Sequence, residues 1–287
     1  MINDLLREIE LRRPKMSKGQ KKIADYIMSN YEQAAYMTTV KLGRAADVSE
    51  STVVRFAHSM GYSGYPRFHQ ALKEEVKNKL TALQRMEVSN LLIGEDEILG
   101  KVMMSDQQKI RMTLEETKRE SFNRVVDLLI GARNIYVIGV RASSMLSNFL
   151  SLNLRMVFDN VKAVDVSSGS DLFEQILSMD KGDVLFAISF PRYSSRVVKS
   201  VKYAQKAGAT VISLTDNPAS PIAAGADEVL YAQSDMASFV DSLVAPLSLI
   251  NAILVGISKK CPELVSERLK KLEQIWDEYE IYDKNRI

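Results

Sequence analysis

The chain has 287 residues, a formal charge of +2, two histidines and one cysteine. That length suits one large domain or, better, a small domain joined to a mid-sized one. The lone Cys261 excludes a disulfide framework, and with so few histidines no zinc site can be drawn. No apolar run approaches the roughly 18–20 residues that span a bilayer, so no membrane partner is expected. The opening MINDLLREIELRR has early acids and no apolar stretch, which predicts neither a signal nor a transit peptide, and a cytoplasmic location.

Charge is unevenly placed. Residues 1–80 hold 14 Lys and Arg against 9 Asp and Glu, 81–120 hold 6 against 8, and 121–287 hold 18 against 19. The basic excess is confined to the first segment, as attraction to a phosphate backbone requires.

The first 80 residues read as all helix. Ser17 is placed to cap a helix through KKIADYIMSNYEQAA, with Ile23, Ile27 and Tyr31 on one face. KLGRAADVSESTVVRF, residues 41–56, then has the pattern of a helix-turn-helix. Gly43 stands where the first helix presses on the second. Asp47 falls at the turn, where positive φ is wanted and Gly, Asn or Asp is tolerated. Val48 fills the gap between the helices, and Ser49 is placed to cap the second through its hydroxyl. Val53 and Phe56 point inward, leaving Glu50, Ser51, Thr52, Arg55 and His58 outside. A short polar face with one Arg suits a helix lying in a DNA major groove; Ser49, Ser51, Thr52, Arg55 and His58 are the candidate DNA-binding residues. Gly61 is placed to end this helix, and Pro66 to begin another through FHQALKEEVKNKL.

Residues 81–120 carry no strand signal and read as a helical connector. Leu99, Val102, Met103, Ile110 and Leu114 form an intermittent apolar stripe, which fits an interdomain or dimer contact better than a ligand site.

From Ser121 to the end the pattern is α/β. Apolar runs at 135–140, 163–166, 184–188, 211–214 and 228–231 alternate with helical stretches, and strands buried on both faces imply a parallel sheet covered on each side. Two helices, 238–258 and 263–282, close the chain. Leu269, Leu272, Ile275, Trp276 and Tyr279 fall on related faces of the last one, serving either a dimer surface or core packing.

Ligands of such sheets bind beyond the carboxyl ends of strands where strand order reverses. Two strand ends carry distinctive turns, Gly139-Val140-Arg141-Ala142-Ser143-Ser144 and Ser189-Phe190-Pro191-Arg192-Tyr193-Ser194-Ser195. Each offers a helix N-terminus, hydroxyls and an Arg, a combination that favours phosphate. Any one of these serines alone would read as a helix cap. Gly139-x-Arg141 breaks the glycine pattern that a dinucleotide needs, so no cofactor is expected. Candidate ligand-binding residues are Gly139, Arg141, Ser143, Ser144, Ser189, Arg192, Tyr193, Ser194 and Ser195.

With both halves read, the segments VSESTVVRFAHSMGYSGYPRFHQAL, IYVIGVRASS, LFAISFPRYSSRVV, VISLTDNPASPIA and SFVDSLVAPLSLINAIL, in that order, give a resemblance to the RpiR family of bacterial transcriptional regulators. These join an N-terminal helix-turn-helix to a C-terminal SIS (sugar isomerase) domain. The resemblance implies an all-α domain over 1–80, a connector over 81–120, and over 121–287 a flavodoxin-like SIS domain with a five-stranded parallel sheet. It further implies a double-stranded DNA operator, a phosphosugar effector and self-association as a homodimer or homotetramer, in a regulator of carbohydrate metabolism. By motif position, Ser143 and Ser144 in the first turn and Ser189, Tyr193, Ser194 and Ser195 in the second carry the phosphosugar role. Many SIS domains have a Ser-x-Ser-Gly-x-Thr type second loop; here Pro191 replaces a small hydroxyl and Arg192 a glycine, which adds a cation. Two alternatives stand beside this reading. One is a SIS-type phosphosugar isomerase, for which Asp171, Glu174 and Asp241 are the available carboxylates, although no histidine follows His69 to open a sugar ring. The other is a DNA-binding protein whose α/β domain only oligomerises. No enzymatic activity is expected.

Overall fold

The computed structural model describes residues 5–77, 79–92, 97–165, 172–235 and 238–282. They divide into two bodies cut between Lys101 and Val102, with 238–240 grouping with the first. The first body is helical: α1 (Leu5–Arg12), a short 3-10 turn (Arg13–Lys15), α2 (Lys18–Ser29), α3 (Tyr31–Ala34), α4 (Thr39–Ala45), α5 (Glu50–Ser59), α6 (Tyr65–Lys77) and α7 (Ala82–Leu92). Ser17 opens α2 as expected: its hydroxyl accepts the Gln20 N–H, and the Gln20 side chain accepts the Ser17 N–H, a reciprocal box. The helix expected to run to Ala35 is shorter. Asn30 leaves the helical region at φ −141°, its side chain donates back to the Tyr26 carbonyl at 3.3 Å, and the single-turn α3 follows. Ile23, Ile27, Leu42, Val53, Phe56 and Phe68 make a common core, with Phe56 and Phe68 edge to face at 5.5 Å.

The connector is helical too. After α7 comes α8 (Ile98–Glu116), and the cut between the two bodies falls inside it. In the second body follow α9 (Arg119–Ile130), β1 (Ile135–Gly139), α10 (Ala142–Arg155), β2 (Val161–Val164), α11 (Leu172–Ile176), β3 (Val184–Ile188), α12 (Ser195–Ala207), β4 (Thr210–Thr215), β5 (Glu228–Tyr231), α13 (Val244–Lys260) and α14 (Pro262–Glu278). All strand pairs are parallel, in the order β2-β1-β3-β4-β5. This is the expected five-stranded flavodoxin-like sheet, with strand order reversing between β1 and β3.

Period-two alternation fixes the layers. Ile135, Val137, Val184, Phe186, Ile188, Ile212 and Leu214 face a core shared with α9, α10 and α13. Tyr136, Ile138, Leu185, Ala187 and Val211 face the core under α11 and α12. Below the sheet's amino edge, buried Asp183 accepts from the Arg133 guanidinium twice at 2.8 Å and from the Asn134 amide at 2.9 Å. Burial pushes its carboxyl up, but these donors and the Asp180 N–H outweigh that and hold it at about 2.

The last helix ends at Glu278 rather than at residue 282, and two starts also differ from expectation. The strand expected at 163–166 starts two residues earlier, because its register is set by Ile135 pairing with Val161; Asp165 instead bonds the Gln175 side chain, and Val166 lies outside the described residues. The helix expected from Ser238 begins at Val244, which leaves Pro246 in its first turn, where a missing N–H costs no helical bond.

Candidate functional site

The helix-turn-helix is built as its small residues require. A Cβ on Gly43 would lie 3.0 Å from the Val48 carbonyl oxygen, so α4 approaches the turn closely and a larger residue there would push it back by a few tenths of an ångström. Asp47 holds φ at 53°, the left-handed turn expected of it. Its carboxylate is bonded to Lys22 Nζ at 2.6 Å, which lowers its pKa, and the same ammonium reaches the Asp47 carbonyl at 3.3 Å. The acid in the turn is therefore matched by a cation from α2.

Of the candidate DNA-binding residues, Ser51, Arg55 and His58 are exposed on α5, while Val53 and Phe56 are fully buried beneath them. Ser49 occupies the cap position but does not cap through its side chain. Its hydroxyl instead lies 2.9 Å from those of both Ser51 and Thr52. Thr52 is half-buried rather than outward, its methyl so near α2 that a Cβ on Gly19 would come within 3.0 Å. The Thr52 hydroxyl also accepts from Arg55 Nη2 at 3.3 Å. Arg55 thus bonds neither Asp47 nor Glu50 but the hydroxyl row, which holds its guanidinium along the exposed face. His58 Nδ1 lies 3.1 Å from the Tyr62 carbonyl and closes the end of α5.

In the second body, β1 and β3 are adjacent and their last residues pair, Gly139 with Ile188. The two distinctive turns therefore leave neighbouring strand tips at the switch point. Gly139 is obligatory: a Cβ there would lie 2.3 Å from the Ser143 carbonyl oxygen and 2.9 Å from Ser147 Oγ. The strand can only enter α10 with no side chain at that position.

Each turn then places an arginine at positive φ, Arg141 at 57° and Arg192 at 65°. That conformation costs an L-residue of this size on the order of 1 kcal/mol or more, and such strain gathers at functional sites. Neither α10 nor α12 receives a side-chain cap from its first flanking residue, Arg141 or Ser194. Uncapped helix starts beside arginines form a natural anion seat.

The six hydroxyl-bearing candidates divide into two groups. Some already hold the turns together. Ser144 donates to the Arg141 carbonyl at 2.6 Å, the Ser189 hydroxyl accepts the Ser194 N–H at 3.2 Å, and Tyr193 donates to Asp216 at 2.8 Å. By contrast, the hydroxyls of Ser143, Ser194 and Ser195 make no hydrogen bond among the described residues.

A third strand tip was missed. At the end of β4, Asp216 accepts from Tyr193, from the Asn217 amide at 2.8 Å and from the Thr215 hydroxyl at 3.3 Å. Thr215 Oγ1 also lies 2.7 Å from both the Ser189 carbonyl and the Ser220 hydroxyl, its single proton shared among these oxygens, and it is fully buried. The polar string Thr215-Asp216-Asn217 directly after an apolar strand was the available signal, since the rule that ligands gather at strand ends applies equally to the next tip along. Among the candidate acids, Glu174 is exposed on α11, Asp241 is half-buried, and Asp171 lies outside the described residues.

Comparison with known proteins agrees with this architecture. Residues 3–79 match the helix-turn-helix domain of the rpiR family, and residues 128–256 match the SIS domain. An uncharacterized HTH-type transcriptional regulator of Caldanaerobacter subterraneus is 27% identical over 266 residues, covering 90% of this chain and 92% of its own. The HTH-type transcriptional regulator HexR of Pseudomonas aeruginosa is 26% identical over 269 residues, covering 90% of each. The solved structure of the Vibrio vulnificus NanR protein complexed with ManNAc-6P superposes with a TM-score of 0.59 at 24% identity, over 96% of this chain and 99% of that one. It is a likeness of fold.

Proposed function

The chain belongs to the RpiR family of transcriptional regulators, which join a helix-turn-helix to a SIS domain, and we propose that its SIS domain senses a phosphorylated sugar and adjusts operator binding in carbohydrate metabolism. One observation carries this reading. Two adjoining strand tips each present an uncapped helix start and an arginine held at positive φ, with hydroxyls at buried Ser143 and at Ser194 and Ser195 that make no hydrogen bond among the described residues. A phosphate group uses all of these at once: N–H donors, hydroxyls and fixed positive charge. The bound ManNAc-6P of the NanR structure supports a sugar phosphate as the ligand class.

On the DNA side, Arg55 and Ser51 meet base edges in the major groove, and Lys and Arg of the first body hold the backbone. Thr52 and Ser49 set the Arg55 guanidinium instead of reading bases. Two copies read a palindromic site, since one such helix spans few base pairs. The effector shifts operator affinity by as much as its own affinity differs between two arrangements of the dimer. Catalysis is not proposed. Asp216, at the β4 tip, accepts from the side chains of Tyr193, Asn217 and Thr215, and no histidine follows His69 to open a sugar ring.

A thermal-shift panel of phosphosugars, the parent sugars and inorganic phosphate tests the sensor. At a concentration of 100 times Kd the ligand stabilises by about 2.7 kcal/mol, a rise of several degrees. The expected result is a rise with a subset of phosphosugars and none with the unphosphorylated sugars. A flat response across the panel, or equal response to sugars without phosphate, rejects the reading.

A further inference from the structure

Arg141 joins β1 to α10 with φ 57° and ψ −125°, the backbone of the first central residue of a type II′ turn, where glycine dominates. A Cβ crowds the main chain there, and such residues persist only where the surroundings impose them. Gly182 and Gly208 supply positive φ at two other turns of the same body. At the β1 tip the unstrained residue is absent and a cation stands in its place. The Arg141 side chain is exposed and makes no hydrogen bond or ion pair among the described residues. Two positions on, Ser143 is 7% exposed, and its hydroxyl has no partner among the described residues either. A Cβ on Gly139 would lie 2.3 Å from the Ser143 carbonyl oxygen, which sets this serine directly at the end of β1. A nearly buried donor and an exposed cation therefore share one strand tip, with no acceptor among the described residues.

The β1 and β3 turns border one crevice from opposite sides. Helix α10 packs on one face of the sheet through Leu146, Leu150 and Leu154, and α12 on the other through Val197, Val201 and Ala204. Their starts therefore lie on opposite sides of the sheet, although their strands are neighbours about 4.8 Å apart. A phosphate seated at the hydroxyl-rich start of α12 can extend its sugar across both tips to the β1 side. There the first-turn N–H groups of α10, the Ser143 hydroxyl and the Arg141 guanidinium form a second set of donors around positive charge. The neutral hydroxyls of a sugar need no fixed cation; a second anion does.

We propose that Arg141 is a specificity-determining residue that pairs with a second anionic group, carried by the effector at the end of the sugar remote from the first phosphate. The inference rests on the phosphosugar reading and narrows its ligand class to sugar bisphosphates and phosphorylated sugar acids. The shared chemistry is an oxyanion that matches the planar fork of a guanidinium, bidentate with phosphate and carboxylate alike.

Calorimetric titration of the full chain at fixed salt, with matched probes, tests this. Fructose 1,6-bisphosphate is compared with fructose 6-phosphate, and 6-phosphogluconate with glucose 6-phosphate. In at least one pair the doubly anionic member is expected to bind roughly tenfold tighter or better, and the pair that responds tells phosphate from carboxylate. Arg141→Gly is expected to raise the melting temperature of the unliganded chain by several degrees, because the strain is relieved. The same variant should reduce the preference within that pair to below about threefold, while the singly phosphorylated member binds as before. Equal binding of both members in each pair overturns the proposal. So does a preference that survives Arg141→Gly, or an equal loss of both members in that variant, which would make Arg141 a structural or general phosphate residue. Failure of the sensor reading itself looks different: none of the four probes binds, and the proposal falls with it.

Discussion

The turn of the helix-turn-helix and the turns at the β1 and β3 tips meet one geometric need with different residues. Each must reverse the chain within a few residues before a helix, and each places a non-glycine residue at positive φ. At the first, the residue is Asp47, a type that tolerates the conformation, and its charge is taken up by Lys22. At the others the residues are Arg141 and Arg192, types that do not favour that backbone. The contrast separates a turn whose residue suits its shape from turns whose residues do not, which is what the proposed anion site would exploit. In the first, residue and geometry agree; in the others a cation is held in place at a cost in stability.

Gly139→Ala should have the largest effect. With 2.3 Å to the Ser143 carbonyl, backbone must move, and a loss of about 3 kcal/mol in the second body, or its failure to fold, is expected in urea melts. Gly43→Ala, at 3.0 Å, should cost less, so the pair measures how much tighter the strand tip is than the helix-turn-helix.

Acid should act next, and on the second body. Asp183 is held at about 2, below its unfolded value near 4, so its contribution is complete above pH 4 and is lost as pH falls through 2. The full contribution is about 2.5 kcal/mol. Asp183→Asn should remove this pH dependence in melts followed from pH 5 to pH 2.

Arg55→Ala should weaken operator binding roughly tenfold and relax preference at one base position, with no change in stability. Unchanged operator affinity would remove Arg55 from the reading face. Arg192→Gly should do the opposite in the second body. Relief of the positive φ should stabilise it by about 1 kcal/mol, while loss of the cation weakens phosphosugar binding, read together in melts and titrations.

Much of this comparison was legible from residue types. Gly43, Asp47, Val53 and Phe56 fixed the helix-turn-helix because each shape demand there is local. Apolar runs and strand-end rules located the two tips and the parallel sheet. What escaped was set by distant partners. The Ser49 hydroxyl turned to Ser51 and Thr52 instead of capping, and Thr52 turned its methyl to Gly19 across the fold. Asp216 joined the site through Tyr193, 23 positions earlier, and no local pattern announces that bond. The arginines' positive φ was equally hidden, since Arg is among the residues least expected there.

The most direct measurement is operator affinity of the full chain at fixed salt, titrated with the phosphosugar that stabilises it most. A change of at least fivefold is predicted, lost when Ser143 and Ser194 are both replaced by alanine. Operator affinity that stays constant at saturating phosphosugar, or a change that persists in that double variant, would contradict anion sensing at the paired strand tips.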